Sequence, residues 1–125
     1  MKKIINTKNA PAPIGPYNQA VLAGDTLYVS GQIPMDPANS EIVSGSIEAE
    51  TRMVMKNLSA ILEAAGMNFA NVVKCTIFIM DMGDFAAINE VYGESFGEDA
   101  PARETVQVSR LPKDVNVEIS CIAVS

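Results

Sequence analysis

The sequence contains no histidine, and this absence excludes more chemistry than any other feature of its composition. Serine–histidine and cysteine–histidine nucleophiles cannot be built, and neither can zinc or iron sites that depend on imidazole ligands. An aspartate-rich calcium loop and a glycine-rich phosphate loop are also missing. We therefore expect any enzymatic activity of this chain to need neither a bound metal nor a cofactor.

Basic residues are also scarce. The 9 lysines and arginines are outnumbered by 15 aspartates and glutamates, which gives a formal net charge of −6. Nucleic-acid binding depends on basic groups that neutralise phosphates, so no nucleic-acid partner is expected. No apolar run approaches the roughly 20 residues of a membrane helix, and polar residues at Asn6–Asn9 interrupt any apolar stretch after Met1–Lys3, where a leader peptide would continue apolar. These patterns predict a cytoplasmic protein without a membrane partner.

Cysteine is limited to Cys75 and Cys121, each within an apolar stretch. Neither has the cluster of positive charges that lowers the pKa of a reactive thiol. We interpret both as buried, reduced and inert.

The 125 residues, 48% of them hydrophobic, match the size of one domain, 1–125. Two short apolar runs flank Gly24-Asp25, which predicts a β-hairpin over Gln19–Ser30. Apolar residues at three- and four-residue steps predict a helix from the N-cap Ser46 to Ala65. A second helix is predicted from the N-cap Asp84 to Gly97.

Alternation predicts a strand over Asn71–Met80 and two further strands over Arg103–Val108 and Val115–Val124. In the first of these, both faces are largely apolar, which favours a central strand. Residues Val73, Cys75, Ile77 and Ile79 are expected on one face, with Val72, Lys74, Thr76, Phe78 and Met80 on the other.

Five or six strands with two helices indicate an α+β domain whose helices cover one face of the sheet. The other face, with Val72, Phe78 and Met80, would be an apolar surface open to water. Such a surface is typical of an interface, so we expect a closed homo-oligomer with shared active sites.

Arg103 and Glu118 are the polar residues that stand out in the last two strands. If these strands pair, Arg103 and Thr105 could share one surface with Asn116, Glu118 and Ser120. The same pattern also fits strand residues that simply face solvent.

Ser30-Gly31 ends a strand and could let backbone N–H groups approach a ligand, although a bulge or turn explains it equally. Tyr17, on a proline-rich loop, fits either recognition or packing.

Five segments together resemble the RidA/YjgF family of reactive-intermediate imine deaminases, over nearly the whole chain and in the family's order. They are Gly15-Pro16-Tyr17, Val29-Ser30-Gly31-Gln32, Asn57-Leu58 with Gly66, Pro101-Ala102-Arg103, and Leu111-Pro112-Lys113 through Val117-Glu118-Ile119.

This resemblance implies a chorismate-mutase-like α+β fold, a mixed sheet of five to six strands with two helices on one face, and a homotrimer with clefts between subunits. It also implies hydrolysis of 2-imino acids and their enamine tautomers, such as 2-iminobutanoate and 2-iminopropanoate, to 2-oxo acids and ammonia.

By the same resemblance, Arg103 is expected to clamp the substrate carboxylate and Glu118 to position the attacking water. The residues expected to line the pocket are Tyr17, Ser30, Gly31, Phe85, Asn89 and Thr105. No metal ligand is expected.

Two departures from the family pattern concern substrate range. Thr105 stands where many members have cysteine, and Ser120-Cys121 follows Glu118-Ile119 where many have a second acidic residue. A non-catalytic trimer that binds small 2-oxo acids in the same clefts remains the alternative interpretation.

Overall fold

The computed structural model describes residues 1–125, which form a six-stranded mixed sheet with two helices on one face and a separate two-stranded ribbon. The α+β class predicted from the sequence is confirmed. The elements are β1 (Lys2–Ile5), β2 (Ala20–Ala23), β3 (Thr26–Gln32), β4 (Met35–Asp36), β5 (Glu41–Ile42), α1 (Ile47–Ala64), β6 (Val72–Ile79), α2 (Phe85–Gly93), β7 (Ala102–Gln107) and β8 (Val117–Val124).

The large sheet has the order β1-β2-β3-β8-β6-β7. Its neighbouring strands are antiparallel except for β6 and β7, which are parallel and joined through α2. The last two strands of the chain therefore do not pair, and the condition for a shared surface of Arg103 and Glu118 within one chain is not met. A parallel connection needs a crossover helix, and this crossover places β7 at the edge of the sheet with β6 between it and β8.

The predicted hairpin and the first helix are confirmed. Ala23 pairs with Thr26 across a turn in which Gly24 has a φ of 61°, a backbone conformation that favours glycine. The Ser46 hydroxyl accepts a hydrogen bond from the Ala49 N–H at 3.0 Å and so caps α1. The helix ends before Gly66, whose φ is 74°.

The second helix differs from its prediction at both ends. It closes at Gly93 rather than Gly97. The Asp84 side chain makes no capping hydrogen bond, because its backbone is already in a helical conformation within a 3-10 turn. Asp81 caps that turn instead, accepting the Gly83 N–H at 2.8 Å.

A bulge near the start of β6 corrects the predicted faces of this strand. The register with β8 shifts between Val72 and Lys74, so Val72 is buried and Val73 is 49% exposed. From Cys75 onward the alternation is as predicted, and β6 lies in the sheet interior between two neighbours.

The helices cover only one face of the sheet, which leaves an apolar face uncovered. We call it the outer face. Its exposed hydrophobic side chains, at 38–50% exposure, are those of Ile4, Tyr28, Val106 and Val124. Phe78 also lies there and is half-buried, whereas Val72, which was expected there, packs in the core.

β1 and the ribbon of β4 and β5 were not predicted from the sequence. β1 pairs with β2 at the other edge of the sheet, and β4 lies between Pro34 and Pro37. Neither helix has the length and apolar character required to span a bilayer.

Gln19 fixes the long loop between β1 and β2, which carries Tyr17. Its side chain is 2% exposed and its oxygen accepts the Thr7 N–H at 2.6 Å. Its amide nitrogen donates to the carbonyls of Thr7, Ala10 and Pro11 at 2.9–3.2 Å. One buried amide thus satisfies the backbone of a segment that has no regular structure.

Replacing Gln19 with leucine should lower the free energy of unfolding by about 1–3 kcal/mol, because it leaves buried loop groups without partners. Urea unfolding measures the change. Gln107→Leu is the matched control, since this exposed glutamine accepts a single bond from the Met82 N–H. Its cost should stay below about 1 kcal/mol. Equal effects of the two substitutions would contradict the anchoring role of Gln19.

Candidate functional site

Arg103, near the start of the edge strand β7, points to the helix-covered face of the sheet. Its Nη1 donates to the Asn89 side-chain oxygen at 2.6 Å. Its guanidinium carbon lies 5.0 Å from the ring centre of Tyr92 and 5.6 Å from that of Phe85. These distances place both rings within the range of cation–π attraction.

The positive charge of Arg103 has no carboxylate partner. The other two arginines do: Arg52 pairs with Glu94 at 3.0 Å and Arg110 with Asp114 at 2.7 Å. Both of those pairs are exposed, whereas Arg103 is half-buried. A half-buried guanidinium without a counter-ion is a ready binding group for an anion.

Helix α2 supplies the surroundings of Arg103. Phe85, Asn89 and Tyr92 are spaced four and three residues apart and so lie on one face of this helix. Phe85 and Asn89 were expected in the pocket from the family resemblance, whereas Tyr92 was not. The same spacing was the signal that could have placed Tyr92 beside Arg103.

Thr105 lies two residues after Arg103 and on the same side of β7. Its hydroxyl is buried and makes no hydrogen bond. It opposes Ile77, whereas Arg103 opposes Cys75. Thr105 is therefore a neighbour of Arg103, as expected from alternation.

Glu118 lies near the start of β8 on the outer face, directly against Gly31. A Cβ atom built on Gly31 would lie 2.8 Å from the Glu118 Cδ and would overlap a carboxyl oxygen. The absence of a side chain at Gly31 thus makes room for the Glu118 carboxyl group.

The carboxyl group of Glu118 has neither an ion-pair partner nor a hydrogen bond to another side chain or to the backbone. Partial burial without compensation disfavours the charged form and raises the pKa of Glu118. This carboxyl group is thus better able to hold a proton near neutral pH than an exposed glutamate.

Ser30 and Gly31 form an irregularity in β3. The register between β3 and β8 shifts between Val29 and Gln32, so neither Ser30 nor Gly31 has a partner in that ladder. The Ser30 hydroxyl donates to the Asn18 carbonyl at 2.7 Å. The predicted bulge is confirmed, and it brings this segment beside Glu118.

Tyr17 is 50% exposed on the loop that Gln19 holds. Its hydroxyl accepts the Ile14 N–H at 3.4 Å, which is a long contact within the same loop. Its ring packs near Gly15. Neither of these two contacts joins Tyr17 to another candidate residue of the same chain.

Arg103 and Glu118 lie on opposite faces of the sheet, so one chain does not present them on a single polar surface, as pairing of the last two strands would have allowed. Arg103 opposes Cys75, whose side chain faces the helices, whereas Glu118 opposes Phe78, whose side chain faces outward. Cys75 and Phe78 are three positions apart in β6, and residues an odd number of positions apart in a strand point to opposite faces of the sheet. The candidate residues thus form two half-sites in one chain.

We call these the arginine half-site and the glutamate half-site. The first contains Arg103, Phe85, Asn89 and Thr105, and the second contains Glu118, Ser30 and Gly31.

Asn116 belongs to neither half-site. Its backbone N–H and its side-chain nitrogen donate to the buried Glu50 carboxylate at 3.1 and 2.8 Å. This bidentate contact ties the approach to β8 onto α1, so Asn116 has a structural role.

The comparisons with known proteins extend over nearly the whole chain. The family described as Endoribonuclease L-PSP matches residues 7–125. A RutC family protein of Pyrococcus horikoshii is 58% identical over 123 residues, 98% of each chain. The 2-iminobutanoate/2-iminopropanoate deaminase of Bos taurus is 48% identical over 124 residues, 99% of this chain and 90% of the relative.

The crystal structure of E. coli TdcF with bound serine superposes with a TM-score of 0.93 at 48% identity, covering 98% of both chains. The chain belongs to the RidA/YjgF family. The resemblance recognised in its motifs is confirmed, and its α+β fold agrees with that of its structural relatives.

Membership of the RidA/YjgF family does not by itself assign an activity, since the relatives differ in name. The protein of Pyrococcus horikoshii is named only by family, whereas the less similar protein of Bos taurus is named a deaminase. The geometry of the two half-sites is therefore needed to infer an activity.

The two cysteines of this RidA/YjgF chain face each other across β6 and β8 and are both buried and free. Burial raises the pKa of Cys75 and raises that of Cys121 to about 12. Both thiols are therefore protonated and neutral at physiological pH, in agreement with the inert role expected of them.

Neither of two large cavities in this chain, of about 760 and 500 Å³, is lined by a candidate residue. No three histidine, cysteine, aspartate or glutamate side chains come together as a group that could hold a metal ion. The half-sites lie outside both cavities.

The raised pKa of Glu118 makes the stability of this protein depend on pH with a definite sign. Because the folded state holds this proton more tightly than the unfolded state, stability falls as pH rises through the folded pKa. Glu118→Gln should therefore gain stability relative to the wild type at pH 7, and no gain should remain below pH about 4. Urea unfolding at several pH values measures the difference.

Glu104→Gln is the control with the opposite sign. Hydrogen bonds from Thr76 and Lys74 lower the pKa of Glu104, so its contribution to stability is present at neutral pH and is lost in acid. A Glu118→Gln protein that loses stability at pH 7, as Glu104→Gln should, would contradict the assignment.

Proposed function

We propose that this protein hydrolyses small 2-imino acids and their enamine tautomers, such as 2-iminobutanoate and 2-iminopropanoate, to 2-oxo acids and ammonia. The observation that carries the proposal is the half-buried guanidinium of Arg103, which no carboxylate of the chain neutralises. Relatives that are 45–48% identical and bear the deaminase name support the choice of substrate.

In this proposal, Arg103 binds the substrate carboxylate. A guanidinium offers parallel N–H donors that match the two oxygens of a carboxylate, and it keeps its charge at all physiological pH values. Asn89 takes up one N–H of Nη1 and leaves other donors of the group open. Phe85, which is 37% exposed, provides an apolar wall beside the bound carboxylate for a small aliphatic side chain.

Glu118 positions the attacking water and accepts its proton as the water oxygen bonds to the imine carbon. The C=N electron pair moves to nitrogen, which takes the proton back from Glu118 and becomes an amino group. The new hydroxyl then gives its proton through Glu118 to this nitrogen, the C–N bond breaks, and ammonia leaves as the C=O bond of the 2-oxo acid forms. A carboxyl group with a raised pKa suits this exchange, because it can accept the proton and return it to the leaving nitrogen. An imine carbon is electrophilic enough for this chemistry to proceed without a metal.

We further propose that the protein is a homotrimer and that each site combines the arginine half-site of one subunit with the glutamate half-site of its neighbour. A small substrate cannot contact both faces of one sheet, yet the mechanism requires both residues. The uncovered apolar outer face, which carries Glu118, is a suitable surface for assembly. Ser30, Gly31 and Tyr17 would then line the cleft, together with Thr105 from the other side.

The activity is tested by producing 2-iminobutanoate in situ with a threonine dehydratase and measuring its decay. Arg103→Ala should lower kcat/KM by at least about 30-fold, because a lost charge pair costs about 2–5 kcal/mol. Arg110→Ala is the matched control, since its arginine is exposed and paired with Asp114, and it should retain wild-type activity. Near-normal turnover by Arg103→Ala would exclude the proposed clamp.

Glu118→Gln should lower kcat by about 100-fold while changing the affinity for 2-oxobutanoate less than about threefold. Equal losses in turnover and affinity would reduce Glu118 to a binding residue. If the wild type binds 2-oxobutanoate but does not accelerate imine decay, the non-catalytic binding protein is the better description.

The shared site is tested by refolding the inactive Arg103→Ala and Glu118→Gln chains together. If a site uses residues of two subunits, each mixed trimer regains one intact site, which amounts to about a quarter of all sites at equal mixing. If both residues act from one chain, the mixture stays inactive.

A further inference from the structure

The side chains that contact Arg103 by hydrogen bonding or cation–π attraction are all electrically neutral. The Asn89 amide oxygen accepts its hydrogen bond, and the rings of Tyr92 and Phe85 lie beside the guanidinium. The register partner on β6 is Cys75, a buried thiol whose pKa is raised and which therefore carries no charge. We call Asn89, Tyr92 and Phe85 the neutral cage.

The absence of negative charge matters because a carboxylate would be the usual partner of a partly buried arginine. A carboxylate would fix the guanidinium but would also compete with an incoming anion. An amide oxygen and two aromatic rings restrict the same side chain and leave its net charge uncompensated. Restricting the side chain before binding also lowers the entropic cost of binding.

Tyr92 is the firmest part of the cage. Its side chain is 5% exposed, and its ring packs on Phe96 at a centroid distance of 4.8 Å. Its buried hydroxyl neighbours the Cys75 thiol and makes no hydrogen bond to Arg103. The ring, and not the hydroxyl, is therefore the part of Tyr92 that acts on Arg103.

We propose that Tyr92 is a positioning residue for Arg103 and that the neutral cage keeps the charge of this arginine available for the carboxylate of a ligand. Asn89, in this view, serves the arginine rather than the substrate. The inference rests on the carboxylate clamp of the proposed function, but it concerns affinity and does not require turnover.

The requirement for neutrality is tested with Asn89→Asp, which keeps the shape and the acceptor oxygen but adds a negative charge. The dissociation constant for 2-oxobutanoate, measured by calorimetry at pH 7.5, should rise by at least about tenfold. Asn89→Ala removes the acceptor without adding charge and should raise it only about threefold. An Asn89→Asp protein that binds as tightly as the wild type would overturn the neutral cage.

The role of the Tyr92 ring is tested by comparing Tyr92→Phe with Tyr92→Leu. The phenylalanine variant keeps the ring and should bind 2-oxobutanoate within about twofold of the wild type. The leucine variant should bind about tenfold more weakly and should raise KM with less than about a threefold change in kcat. Phe69→Leu is the control, because Phe69 belongs to the same aromatic cluster through Phe96 but does not contact Arg103.

Two results would overturn the role of Tyr92: wild-type affinity in Tyr92→Leu, or an equal loss in Phe69→Leu. If Tyr92→Leu fails to fold, the Asn89 pair still decides whether the cage must be neutral.

The deaminase proposal and the neutral cage fail in different ways. A wild type that binds 2-oxobutanoate without hydrolysing the imine overturns only the deaminase. Unchanged affinity in Asn89→Asp overturns only the cage.

Discussion

The parallel pairing of β6 with β7 is the constraint on which the rest of the site depends. The crossover through α2 places β7 outside β6 and lays α2 against the same face to which Arg103 points. The same insertion of β6 between β7 and β8 puts Glu118 on the other face. One topological feature therefore creates the surroundings of the arginine and separates it from the glutamate.

In the proposed shared site, this separation gives the uncovered outer face a role in assembly. A sheet with helices on one side leaves exposed apolar side chains on the other, and such surfaces are typical of subunit contacts. If copies of the chain assemble through this face, the glutamate half-site lies at the contact rather than in open solvent. Assembly and catalysis would then depend on the same surface, and a single chain would be inactive because it would contain no complete site.

The two half-sites also differ in their electrostatics, in a way that suits different tasks. The positive charge of Arg103 is uncompensated because the side chains that contact it are neutral, whereas Glu118 holds its proton more tightly because it is partly buried without a partner. A fixed charge is suited to binding an anion, and a carboxyl group that titrates closer to neutrality is suited to moving a proton. Neither property requires a histidine, so the proposed acid–base chemistry is possible in a chain without imidazole.

The sequence by itself determined the α+β class, the first hairpin, the capped helix α1 and the family, because these follow from local periodicity, turn chemistry and the spacing of short motifs. It also indicated Arg103 and Glu118 as residues of interest. Only the tertiary structure decided that these two lie on opposite faces and that Tyr92 adjoins the arginine. Strand order and register arise from long-range pairing that alternation within one strand cannot specify, and the bulge at Val73 shows how one inserted residue reverses a face.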